Sequence, residues 1–160
     1  MKQLFAAAIF ATFPVTAMAE TQLERLESIA EQMNDAMFDA MIRMVEKEGG
    51  NPAPLREAIP DGAWGAKDRE AGACLLEKYT EASSKSAVND MLDEMEAFIP
   101  TLATLDLDAM EDTDTDLLPE GITEEFSLQV NSECGLTDLM MDRMENSGFM
   151  EAMMKSMAGN

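Results

Sequence analysis

Apolar residues recur every three or four positions through most of the chain, which is the spacing of an amphipathic helix. In the first such segment they run from Leu23 to Met44 along one helix face. Thr21 and Glu24 have the spacing of a capping box, so they predict where this helix begins. Gly49 and the glycine after it predict its end, because glycine is favoured just past a helix C-terminus.

The middle of the chain repeats this pattern in three segments. A short helix is predicted over residues 54–59, between two proline-containing turns, and a longer one from about residue 63 to 82. Serines near residue 84 predict the cap of the next helix. Pro100 disfavours helical backbone at the residue before it and therefore predicts that helix's end.

The last third of the chain predicts two more helical segments. Thr123 can cap a segment whose first turn carries two glutamates, and Gly135 is a weak point within it. Residues 146–148, Asn-Ser-Gly, break the pattern before a short final helix. Neither strand alternation nor a fixed-length repeat is visible, and valine is scarce. We predict an all-α fold with one small domain of about four or five helices.

The first 19 residues have the pattern of a secretory signal peptide. Lys2 precedes an uncharged apolar run over residues 4–13, and Ala17 and Ala19 give the small-x-small pattern of a cleavage site. We predict cleavage after Ala19, which leaves a helical domain of residues 20–160 in the periplasm or the extracellular medium. No later apolar run is long enough to span a bilayer, so we expect no membrane insertion of the mature chain.

Two cysteines, Cys74 and Cys134, lie in the predicted mature chain. An even count in an exported protein favours a disulfide, and two cysteines allow one intramolecular pairing. A reactive thiol is the alternative, but the chain has no histidine to act as its base and no CxxC motif. We therefore predict a structural disulfide that ties the second main helix to the helix after Thr123.

The charge of the chain restricts its partners. Without Lys2 the mature chain has 10 basic and 32 acidic residues, a net charge of −22. Such a chain repels phosphate backbones and anionic lipid, so nucleic acid is excluded as a favoured partner. A basic or apolar protein segment, or a cation, would be favoured.

Several catalytic chemistries lack the residues they need. The absence of histidine excludes Ser-His-Asp and Cys-His arrangements and histidine metal ligands. No glycine-rich phosphate loop is present either. We predict a protein that is not an enzyme and needs no cofactor.

The segment 101–122 is rich in acids and threonines and has no basic residue. Residues 112–123 begin like a calcium-binding EF-hand loop, with carboxylates at the first, third and fifth positions. Leu117 then replaces the turn glycine, and Thr123 replaces the final glutamate. Asp106 and Asp108 could join a looser calcium site, but a solvated acidic loop is the more typical interpretation.

Fourteen of the sixteen methionines fall in the mature chain. Thioether sulfur is a soft ligand for Cu(I), and Met37, Met41 and Met44 share one helix face. A second face is shared by Met150, Met153, Met154 and Met157, and three or four thioethers that converge between the two helices could hold one Cu(I) ion. A methionine stripe at helical spacing is more often core or an adaptable contact surface. The sequence leaves these three interpretations open.

The break at residues 146–148 divides the methionine-rich tail. Met140, Met141 and Met144 continue the cysteine-bearing helix, and we predict that they are core. The tail after the break is predicted to be a contact surface, and its deletion from residue 149 is expected to leave the melting temperature nearly unchanged. This predicted surface consists of Phe149, Met150, Met153, Met154 and Met157.

The sequence therefore favours an exported binding or accessory protein that acts through methionine-rich helices, and a chaperone-like role is one form that this function can take. The alternative is a periplasmic metal-handling protein that binds Cu(I) through methionines or calcium through the acidic loop.

Overall fold

The computed structural model describes residues 21–104 and 117–157, and within these ranges every regular element is an α-helix. This confirms the all-α prediction. The described residues form seven helices, more than the four or five predicted. One additional helix arises because Gly135 adopts a left-handed conformation (φ 77°) and splits the segment after Thr123. The helices are α1 (Gln22–Lys47), α2 (Ala53–Glu57), α3 (Ala66–Ala82), α4 (Lys85–Leu102), α5 (Glu124–Glu133), α6 (Leu136–Ser147) and α7 (Phe149–Met157).

The predicted helix starts are confirmed by their hydrogen bonds. At the start of α1 the Glu24 N–H donates to the Thr21 hydroxyl, and the Thr21 N–H donates to the Glu24 carboxylate. Thr123 caps α5 by accepting from the N–H of Phe126. These bonds satisfy backbone donors that the first helical turn would leave unpaired.

The predicted end of α4 at Pro100 is wrong, since the helix continues to Leu102. Proline restricts the preceding residue and removes one backbone donor, but Leu102 is 3% exposed. Burial of this leucine outweighs the local preference.

The main hydrophobic core lies between α1, α3, α4 and α5. Ile29 of α1 and Val88 and Leu92 of α4 are fully buried at its centre. The Tyr79 hydroxyl lies 2.6 Å from the Ser127 hydroxyl, so a buried polar pair joins α3 to α5. Beside this core, the predicted disulfide is confirmed: Cys74 of α3 is bonded to Cys134 at the end of α5.

A second core forms where the C-terminal half of α1 meets α2 and α7. Phe38 and Phe149 make an edge-to-face contact with ring centroids 5.0 Å apart, and Ile42, Val45 and Leu55 surround them. Near this core the N–H of Asn51 donates to the carbonyl of Ser156. The last helix is therefore docked onto the end of the first.

No helix in the described part of the chain is both long and apolar enough to cross a membrane. The predicted signal peptide and most of the acidic loop, including Asp106 and Asp108, lie outside the described residues.

Candidate binding groove

An open groove of about 520 Å³ lies between α1 on one side and α5 and α6 on the other. The loop before α3 and the start of α3 complete its lining. This volume falls within the range of about 300–1,000 Å³ that is typical of ligand sites. The large apolar side chains in the lining are Met37, Phe38, Trp64, Leu128, Leu136, Leu139, Met140 and Met144.

Helix α6 supplies the largest share of this lining, and none of its residues is buried. An amphipathic helix normally buries its apolar stripe against the core. In α6 that stripe faces the groove instead, and Met140 is 53% exposed. Leu128 of α5 is 65% exposed on the same lining. The groove is therefore an apolar surface for which the described part of the chain supplies no cover.

An ion pair forms part of the groove lining. The guanidinium of Arg143 in α6 lies 2.6 Å from the carboxylate of Asp68 in α3, and it also donates to the carbonyl of Ala63. Arg143 is the single basic residue among the described lining residues, and this pairing neutralises it. The groove therefore offers no uncompensated positive charge to an anionic ligand.

A second ion pair holds α1 beside α3 near the groove. The Arg69 guanidinium donates to the carboxylate of Glu27, and these hydrogen bonds hold the pKa of Glu27 below its usual value. Glu27 therefore stays ionised at lower pH than a free glutamate would. The Arg69 side chain is 51% exposed, so solvent screening limits what this ion pair adds to stability.

The amide nitrogen of Asn34 is a buried donor in the lining, and it has no hydrogen-bond partner among the residues the structure describes. Gly62 packs directly against it, because a Cβ at this glycine would lie 2.8 Å from that nitrogen. The groove therefore combines a mostly apolar wall with few polar groups, as binding sites for apolar ligands commonly do.

The side chain of Trp64 packs against α3 at a glycine, Gly72. A Cβ at Gly72 would lie 2.5 Å from the indole ring, so the ring rests where that helix has no side chain. The backbone N–H of Trp64 donates to the carboxylate of Glu31, which fixes the backbone of Trp64 to α1.

We predict that Gly72→Ala displaces the indole ring of Trp64. Alanine favours a helix by about 1 kcal/mol over glycine, but overpacking costs about 1–3 kcal/mol. We therefore expect no net stabilisation, together with a red shift of the emission of Trp64, the single tryptophan of the chain. Thermal unfolding and fluorescence spectra check this. A variant that is more stable than the wild type with unchanged emission would contradict this seating of the ring.

Only part of the contact surface predicted in the tail is exposed to solvent in the structure. Phe149 is 2% exposed and belongs to the second core, and Met153 packs against that core. Met150, Met154 and Met157 are exposed by 57%, 66% and 57%. The predicted surface is therefore accessible at three of its five residues.

The prediction that the methionines of α6 are core is wrong. Met140 and Met141 are 53% and 59% exposed, and Met144 is half-buried in the groove lining. The reason is that Gly135 redirects the chain, so α6 does not continue the axis of α5 into the core. In α1, Met37 and Met41 pack against the second core, and Met37 also lines the groove.

Within residues 21–104 and 117–157, no three His, Cys, Asp or Glu side chains cluster closely enough to hold a metal ion. Of the possible calcium loop, residues 112–116 lie outside the described residues, and Pro119 is buried. Thr123 uses its hydroxyl to cap α5.

Sequence reasoning did not find the groove, because five separate segments contribute to it and no single periodicity marks it. The one usable signal is Gly135, because a glycine that weakens a helix can also mark a change in chain direction. No family model, curated protein or solved structure matches the chain.

Proposed function

We propose that this chain is an exported, non-enzymatic binding protein whose groove receives the apolar face of a helix that carries basic residues on its flanks. The observation that supports this most is α6, which turns its apolar face toward the groove and buries no residue of its own. An amphipathic helix laid into such a groove would cover this face.

The lining suits a partner whose sequence is not unique. Met37, Met140 and Met144 contribute flexible thioether side chains to the wall. Methionine has three rotatable bonds and adapts its shape to a partner, so it is common at surfaces that accept several sequences. This supports an accessory or chaperone-like role over recognition of one small molecule.

Charge favours a basic partner. The whole chain has a net charge of −21, and Asp138 and Asp142 are exposed on α6. Since the arginine in the groove is already paired with Asp68, an acidic partner would meet repulsion without a compensating contact. Complementary charge raises the association rate and selects partners more than it adds affinity.

Export is supported by the disulfide between Cys74 and Cys134, since such bonds persist in oxidising compartments. We propose the periplasm or the extracellular medium, reached through cleavage of the signal peptide after Ala19.

The test uses a synthetic amphipathic peptide with leucines at helical spacing and lysines elsewhere. Trp64 lies in the groove wall, so we expect its emission to shift to the blue as the peptide excludes water. Leu128→Ser and Met140→Ser should each weaken binding roughly tenfold, because each removes an apolar contact worth about 1–2 kcal/mol. Fluorescence titration measures both effects.

Met141→Ser is the matched control, because Met141 is equally exposed on α6 but does not line the groove. It should bind like the wild type. A second peptide that keeps the leucines and replaces every lysine with glutamate should bind at least tenfold more weakly at low salt. Equal binding of the two peptides, or equal loss in the Met141 control, would overturn the proposal.

A further inference from the structure

The exposed methionines of α7 form a separate feature, away from the groove lining. Met150, Met154 and Met157 follow one another at steps of four and three residues. At 3.6 residues per turn, these three positions fall within an arc of roughly 60° on one helix face. All three side chains are more than half exposed.

The orientation of this face is fixed by the opposite side of the helix. Phe149, Ala152 and Ser156 are 2%, 7% and 0% exposed, so they dock α7 onto the second core. The Lys155 ammonium lies 2.6 Å from the Glu151 carboxylate on a different face of α7. This pair holds the positive charge of Lys155 away from the methionines. The three thioethers therefore stand in solvent on an anchored helix.

Sulfur is the property that distinguishes these residues from other apolar side chains. Leucine favours a helix as well as methionine does, and exposed methionine is open to oxidation. The fully buried positions of α7 are occupied by other residue types, so its methionines are not all explained by packing. A ligand that requires thioether sulfur explains why they are concentrated on the exposed face.

The spacing brings the three sulfurs within reach of one ion. At a rise of 1.5 Å per residue, Met150 and Met157 lie roughly 6 Å and 4.5 Å along the axis from Met154. Flexible thioether side chains can bend toward the central residue from both ends. Cu(I) is a soft cation that accepts thioether ligands, and the negative charge of the chain attracts cations.

We propose that Met150, Met154 and Met157 bind one Cu(I) ion. The ion arrives and leaves as Cu(I), so no electron is transferred. The site is independent of the groove, because none of its three residues lines that groove.

The test titrates the intact, oxidised protein with Cu(I) against a chromophoric Cu(I) chelator, without oxygen and with ascorbate as the reductant. Mass spectrometry confirms that the disulfide remains closed, so that its thiols add no binding. We expect one Cu(I) per chain, and an affinity at least tenfold lower in the triple variant M150L/M154L/M157L. In NMR spectra of methionine methyl groups, these three signals should shift together on addition of Cu(I).

The matched control is the double variant M140L/M141L, which removes two equally exposed methionines from α6. It should keep the affinity of the wild type, and melting curves should show that both variants remain folded. Absence of one-to-one binding in the wild type would overturn the proposal. A loss in the α6 variant as large as in the α7 variant would overturn it as well.

Discussion

Replacing Phe149 by alanine is expected to destabilise the protein by roughly 3–5 kcal/mol. The Phe149 ring is 2% exposed and meets the ring of Phe38 edge to face, among the side chains of Ile42, Val45 and Leu55. Removing it leaves a cavity that this small cluster has few neighbouring side chains to fill. For a domain of this size, the melting temperature should fall by roughly 10 °C or more.

Met150→Ala is the matched control, because it lies next to Phe149 in the same helix and is 57% exposed. The Met150→Ala change should lower the free energy of unfolding by no more than about 0.5 kcal/mol. Deletion of residues 149–160 should destabilise at least as much as the phenylalanine change, which reverses the expectation drawn from the sequence. Chemical denaturation measures all three, and a Phe149→Ala variant as stable as its control would show that the second core contributes little.

Opening the disulfide should have an effect of similar size. Cys74 and Cys134 are separated by 60 residues, and closing a loop of this length contributes about 4 kcal/mol in the chain-entropy model. We expect the double variant C74S/C134S to lose stability within the range of about 2–5 kcal/mol. Because the bond joins α3 to the junction of α5 and α6, it also holds one wall of the groove.

Loss of the disulfide should therefore weaken binding of the lysine-leucine peptide to the groove more than Met141→Ser does, even at temperatures where the variant is folded. Reduction of the wild-type protein should reproduce both effects, since it opens the bond without changing a residue. Denaturation curves and Trp64 titrations on oxidised and reduced protein measure them. If reduction leaves both unchanged, the disulfide neither stabilises the fold nor positions the groove.

Local signals predicted most of the helices because they act within a few residues. The capping pair of Thr21 and Glu24, the cap at Thr123 and the break at Gly148 all lie where the structure has helix ends. The pairing of Cys74 with Cys134 followed from the even cysteine count together with the predicted export. The predicted helix end at Pro100 was wrong because the burial of Leu102 outweighed the local preference of the proline.

The roles of α6 and α7 could not be predicted, because both helices carry methionines at helical spacing. The two helices differ in the surface against which each one packs in the folded chain. α7 docks through Phe149, Ala152 and Ser156, of which two are too small or too polar to stand out in a hydrophobic pattern. No residue of α6 is buried in this way, and the sequence of α6 alone does not reveal this difference.

The contact between Phe38 and Phe149 joins the first helix of the described chain to the last. A chain is synthesised from its N-terminus, so the apolar residues at the end of α1 have no partner until α7 has been made. Until then the second core is open, and contacts between residues so far apart in the chain form slowly. The second core therefore closes only when the nine residues of α7 have been synthesised.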